Sequence, residues 1–346
     1  MQRNASHAFD PYTWDVATTL SNVPSLVQVE ACFGTTSTDT SPVCSAPQDM
    51  TYAPGDFGAA SDTQSLGPGT FASLTGDYEI AAADAAVSTS LDGLSVGRTL
   101  TTLSPASASS TAGGVFGPGW TADLTGPQAG DATLVPVDQA SKGYVLFTAT
   151  DGATSTYKAT TAVTAYPIQF LGTGESASDG EHVAKTDAHT VTMTDPDGTV
   201  TTWSNSSGVW RVVSVAEAGS NTTTTYTYNA AGLVTRILAP APAGITCSDA
   251  TADTTVGCRS LVLSYTTLTV SGVSVTRLVS ISLSAPQVSG TPHSVQVATY
   301  DYNAAGQLAD EYDPRISPHL LTTYTYGSSN RLATLTPPGQ AAWNFA

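Results

Sequence analysis

The residues that could do chemistry are few and scattered. Five histidines, His7, His182, His189, His293 and His319, stand alone in polar, turn-rich stretches. General base catalysis needs a histidine within reach of a nucleophile and held by a third group, and no motif supplies those partners. The sequence contains no GxSxG elbow to set a serine on a strained turn, and no HExxH zinc pair. Asp195 and Asp197 in DPDG could offer oxygens to calcium. The other ligands and the distal Glu of an EF-hand-type loop are missing, so a hairpin turn is their expected role. Asn4, Asn205 and Asn221 begin N-x-Ser/Thr strings, which chance supplies in a chain with 55 threonines. The expectation is a protein without catalytic residues, metal or cofactor.

Four cysteines form two local pairs, Cys32 with Cys44 and Cys247 with Cys258, each bracketing a short turn-rich segment. Two short-range disulfides are the favoured reading over free thiols, although four cysteines allow three connectivities. Zinc would want close CxxC-type half-sites, which these spacings do not make. Disulfides place the chain outside the cytosol. Gly117, Gly119 and Trp120 in FGPGW invite either an exposed Trp stacked on a sugar or a sharp bend that drives Trp120 into the core. The two glycines and the proline favour the bend.

The elements that must position these residues are strands. Among 346 residues there are 55 Thr but only 3 Lys and 6 Glu, so strand formers abound while residues suited to solvated helix faces are nearly missing. In HTVTMTDPDGTVTTWS, Thr190, Thr192 and Thr194 point one way, and Val191 and Met193 the other. Asp151-Gly152 and Ser271-Gly272 sit between strand-like runs as hairpin turns. Helical periodicity never lasts beyond about two turns. The fold class expected is all-β, built of consecutive antiparallel hairpins. Three stretches divide it: an irregular β-rich segment at 1–75 with one good strand from Ser25 to Phe33, an entry region at 76–165 carrying FGPGW, and repeat hairpins at 166–346.

Internal repeats carry most of the information. YTYNAAGLVTRI from Tyr226 and YDYNAAGQLADEYDP from Tyr300 share one spacing, and YTYGSSNRLATLTPPG from Tyr324 is a variant. Tyr226 and Tyr228, Tyr300 and Tyr302, and Tyr324 and Tyr326 are two apart, so each pair faces one side of a strand. Asn229 to Gly232 then supply a turn of residues tolerant of left-handed φ. Gly306 holds the equivalent place in the second repeat. Asn330 replaces it in the third, being the next most tolerant residue. These tyrosines could line a carbohydrate cleft, but their regular recurrence suits a repeating wall.

YxYNxxGxL repeats followed by DP or PPG turns resemble the tyrosine-aspartate (YD) repeats of bacterial Rhs proteins. TGDYEIAAADAAV, LSVGRTLTTLSPAS and GGVFGPGWTADL resemble the segment that introduces those repeats, and the likeness extends over about residues 50–346. The resemblance implies a spiral β-shell around a hollow interior, as in polymorphic toxins and teneurins. This chain would be an N-proximal piece of its wall, truncated at the C-terminus. The DPxGL-type autocleavage motif of the family is missing: the nearest string, DPRIS at Asp313, has no Gly-Leu. The expected function is structural, to encapsulate or present a C-terminal toxin or effector domain, with the rest of the shell as partner. An extracellular module that binds carbohydrate or a cell-surface partner is the alternative. A formal charge of -17 excludes the basic face that nucleic acid requires. No run is long and apolar enough to cross a bilayer, and a secreted location is expected, the export signal lying outside this sequence.

Overall fold

The computed structural model describes residues 14–20, 24–33, 43–58, 62–87, 93–103, 114–124, 131–139, 142–219, 222–327 and 330–345. The chain is all-β and its sheets are antiparallel. One sheet of 17 strands runs from Thr133–Gln139 to Trp343–Asn344, each strand bonded to the next in sequence, so it is an open meander with two edges. A second sheet of five strands, from Thr63–Leu66 to Trp120–Leu124, is also sequential. The chain passes from one sheet to the other between Leu124 and Thr133.

Burial follows the period of two. Val191 and Met193 are fully buried while Thr190, Thr192 and Thr194 are only partly covered. The same alternation runs along Leu94–Thr101, whose buried positions include Leu94, Val96, Arg98 and Leu100. The buried sides of the two sheets form one core. Trp120 and Phe116 come from the five-stranded side, and Tyr226, Ile237, Leu261, Leu278 and Tyr324 from the long meander. Its filling is aromatic: Phe116 meets Tyr300 edge-on at 5.2 Å, and Trp120 meets Tyr324 at 5.4 Å.

The N-terminal stretch departs from the expected single strand at Ser25 to Phe33. It divides into Ser25–Val29, paired with Gln48–Tyr52, and Cys32–Phe33, paired with Val43–Cys44. The division falls at Ala31, where the Ser45 side chain receives the Ala31 amide and the Ser45 amide bonds the Ala31 carbonyl. A five-residue helix, Val16–Leu20, interrupts the β pattern. Asp15 starts it, accepting from the Thr18 amide at 3.0 Å, and this bond holds the Asp15 carboxyl below its usual range.

Turn chemistry is narrower than the residue types suggested. Of Asn229 to Gly232 only Gly232 is left-handed, at φ 78°. The Gly232 amide donates to the Asn229 carbonyl and the Asn229 amide to the Leu233 carbonyl, both at 2.9 Å, the signature of a tight turn closed by a one-glycine bulge. Asn229 acts through its side chain, Oδ1 receiving the amides of Ala231 and Leu233. Asp151-Gly152 obeys the same rule: only Gly152 is left-handed. Ser271-Gly272 is the two-residue turn with both residues at positive φ, closing Val270 on Val273.

The 151–152 turn is also a docking point. A Cβ on Gly152 would lie 1.9 Å from the Gly55 carbonyl oxygen, and the Phe57 amide bonds the Asp151 carbonyl. Gly152→Ala is therefore expected to cost about 2–4 kcal/mol, since left-handed strain adds to a backbone clash that no side-chain rotation relieves. Urea denaturation reads the loss, and a change below about 0.5 kcal/mol would refute that docking.

Candidate functional site

All three repeat hairpins have one build. Thr223–Tyr228 pairs with Val234–Leu238, Ser294–Tyr302 with Leu308–Tyr312, and Thr322–Tyr326 with Leu332–Thr336. In each, the register slips by one residue just before the second tyrosine. The extra residue lies on the return strand, Thr235 in the first repeat, and sharpens the local twist there, while the two-residue spacing keeps both tyrosines of a pair on one side. Gly306 is left-handed at φ 71° and Asn330 at φ 58°. The Gln307 side chain joins the second and third turns by donating to Asn330 Oδ1 at 2.8 Å.

Instead of stacking on one another, five of the six tyrosines reach across the core and Tyr228 bonds within its own sheet. Tyr226 donates to the Leu124 carbonyl at 3.2 Å, and Tyr300 to Asp84 Oδ2 at 2.8 Å. Tyr324 receives Arg98 Nη2 at 2.8 Å, and Tyr326 receives the Trp120 indole N–H at 2.9 Å. Tyr228 and Tyr302 bond the Val212 and Leu278 carbonyls of neighbouring strands of their own sheet, and Tyr302 also reaches Val115. Tyr226, Tyr300 and Tyr324 are buried and Tyr228, Tyr302 and Tyr326 are partly buried.

At the centre lies Arg98, 1% exposed. Its guanidinium pairs with Asp84 of the adjacent strand Tyr78–Val87 and with Glu311 of the second repeat hairpin. Four rings surround it: Trp120 at 5.0 Å, Tyr324 at 5.5 Å, Phe116 at 5.6 Å and Tyr300 at 5.7 Å from the guanidinium carbon. Burial by itself favours a neutral guanidine, but Asp84, Tyr324 and Tyr300 more than offset it, and Arg98 stays firmly charged. Burial pushes the Asp84 carboxyl up, while Arg98 and the bond from Tyr300 pull it back. Both carboxylates are thus committed to one cation. The cluster fastens the two sheets together.

FGPGW makes this possible. Gly117 and Gly119 are left-handed, at φ 96° and 85°, and the chain folds so tightly that Trp120 is 2% exposed beside Arg98. A Cβ on Gly117 would meet the Gly306 carbonyl at 2.8 Å, so the bend lies against the second repeat turn. The same carbonyl accepts Arg277 Nε at 2.7 Å, and Arg277 is itself fully buried. A third arginine, Arg236, holds the long loop after Leu238: it bonds Asp249, Asp253 and Ser260. That loop contains the disulfide Cys247–Cys258 and the N-terminal stretch contains Cys32–Cys44.

The other candidates stay apart. His182, His189, His293 and His319 are exposed; His189 meets Asn205 Oδ1 at 2.6 Å, and His319 stacks on Tyr312. His7, Asn4 and Asn221 lie outside the described residues. Asp195 and Asp197 shape a turn, Asp197 Oδ1 receiving the Thr199 amide. Glu30, Cys32 and Cys44 present ligand atoms within 4.8 Å of one another, but both sulfurs are tied in the disulfide. Among the described residues no helix is long and apolar enough to cross a membrane.

Motif reading passed over Asp84, Glu311 and Arg277, and gave Arg98 no role. A signal existed for the arginines. Arg98 shares strand parity with Val96 and Leu100, and Arg277 with Val275, which places a charge on a face otherwise meant for the core. No protein-family model and no curated protein matches the chain.

Proposed function

We propose that the chain is a non-catalytic, structural section of a secreted YD-repeat shell of the Rhs type, whose partners are the rest of that shell and a C-terminal toxin or effector domain. One observation supports this reading above the others. The first tyrosine of each repeat bonds the five-stranded sheet, at Leu124, Asp84 and Arg98 respectively. The segment that introduces the repeats thus serves as the anchor on which successive hairpins are laid. A wall has to hold its shape without a ligand, and an anchored meander does so through ladder bonds and buried aromatic area.

Such a section unfolds as one unit. Urea titration followed by tryptophan fluorescence and by far-ultraviolet circular dichroism is expected to give coincident single transitions. Separate transitions, with the five-stranded sheet melting first, would remove the anchoring role. The cargo arm is tested on the coding sequence: further YxY hairpins and a variable terminal domain support a shell. Fusion to cell-wall-binding modules in their place would transfer the chain to adhesion.

A further inference from the structure

A cavity of about 440 Å³ opens between the two sheets, away from the Arg98 cluster. Val115, Ala122 and Leu124 reach it from the side of the five-stranded sheet, and Trp203, Tyr228 and Tyr265 from the meander. Mainly aromatic and aliphatic walls around a space of this size suit a small organic molecule, with the few polar groups deciding which one. Val135 and Val209 also line it, and they are 50% and 55% exposed. Apolar surface therefore continues from the interior out to the mouth.

The polar groups of this lining have donors to spare. Trp203 is 1% exposed, and its indole N–H has no acceptor among the described residues. Arg211 is the one cation in the lining. Its Nη1 donates to Ser207 Oγ, while Nε and Nη2 have no acceptor among the described residues. Arg98, Arg236, Arg315 and Lys158 each hold a carboxylate of this acidic chain; Arg211 holds none. The guanidinium is held in place all the same, 5.8 Å from the centre of the Tyr228 ring and against Gly232 of the first repeat turn, where a Cβ would collide with it. Asp131, the one carboxylate in the lining, is already engaged, its Oδ2 receiving the Ala122 amide at 2.8 Å.

We propose that this cavity binds a small aryl carboxylate, its ring among the aromatic walls and its carboxylate on Nε and Nη2 of Arg211. The planar guanidinium fork matches the two oxygens of a carboxylate, which an amine or an alcohol cannot reproduce. Ring-to-ring contacts with Trp203, Tyr228 and Tyr265 favour an aryl body over an alkyl one. The proposal does not depend on the chain being part of a shell.

The probe is 2-naphthylacetate, titrated into the full chain by isothermal calorimetry, with 2-(2-naphthyl)ethylamine as counterpart of opposite charge. The acid is expected to bind saturably at one site and the amine not to bind. Arg211 is partly exposed and its only hydrogen bond is to Ser207, so Arg211→Gln should keep the wild-type circular dichroism and melting temperature. It should weaken the acid by about tenfold or more, and Arg211→Lys should restore only part of the affinity. Nuclear magnetic resonance of the isotope-labelled wild-type chain gives a reading independent of those variants. The indole N–H signals of Trp203 and Trp210, both in the lining, should shift on saturation, while that of Trp343, 46% exposed at the far edge of the meander, should stay. Absence of saturable binding, equal binding of the amine, a folded Arg211→Gln variant with unchanged affinity, or a shift confined to Trp343 would each overturn the proposal.

Discussion

Arg98→Met is expected to lower the unfolding free energy by about 3–5 kcal/mol, as urea denaturation would show. The loss of attraction is the smaller part. Asp84, whose side chain is 3% exposed, would be left with a buried charge and no cation, and Glu311 would lose the same partner. Tyr324 would also lose the N–H it receives from Arg98, and four rings would lose the cation between them. Arg98→Lys should recover only part of the loss, because an ammonium cannot bridge Asp84, Glu311 and Tyr324 in one plane. The contrast that identifies the cause is the triple variant Arg98→Met, Asp84→Ala, Glu311→Gln. If stranded charge is what destabilises the single variant, the triple variant should be the more stable of the two. A triple variant worse than the single one would mean that packing against Trp120 and Tyr324 sets the cost.

Raising the pH should unfold the chain more sharply than lowering it. Burial pushes the phenols of Tyr228, Tyr265, Tyr302 and Tyr324 up from their usual value, and that of Tyr326 to about 12. In the unfolded chain a phenol titrates near 10. The folded state therefore keeps protons that the unfolded state releases. Their contribution is complete below about pH 10 and is lost as pH rises through the folded values. Each phenol removes up to about 1.4 kcal/mol per pH unit in that window, and the losses add as several titrate together. Phenolate absorbance near 295 nm should then appear together with the loss of circular dichroism. Smooth titration of most tyrosines near pH 10 with the β signal intact would show that these rings are wet.

Much of the architecture was legible because strands and tight turns are local. The parity of Thr190 to Thr194, the turn at Ser271-Gly272 and the shared spacing of the YxY repeats are short-range properties, written in neighbouring residues. The expectation failed where a local signal has more than one solution. Ser25 to Phe33 has the composition of one strand, but the side chain of Ser45, fourteen positions from Ala31, divides it. Asn229, Ala230 and Ala231 tolerate positive φ without needing it, since one left-handed glycine suffices to close the turn.

What the sequence determined by itself is the all-β class, the hairpin periodicity and the alternate burial along strands such as Thr190–Thr194. These follow from the two-residue period and from the few residues that accept left-handed geometry. Tertiary structure alone decided where the tyrosines point their hydroxyls and what neutralises Arg98. Arg98 and Glu311 are 213 positions apart, and Tyr300 and Asp84 are 216 apart. Burying any one of these polar groups alone costs several kcal/mol, so the partner is obligatory, but strand parity states only that a partner is required. Which residue answers is fixed by how the meander lies on the five-stranded sheet.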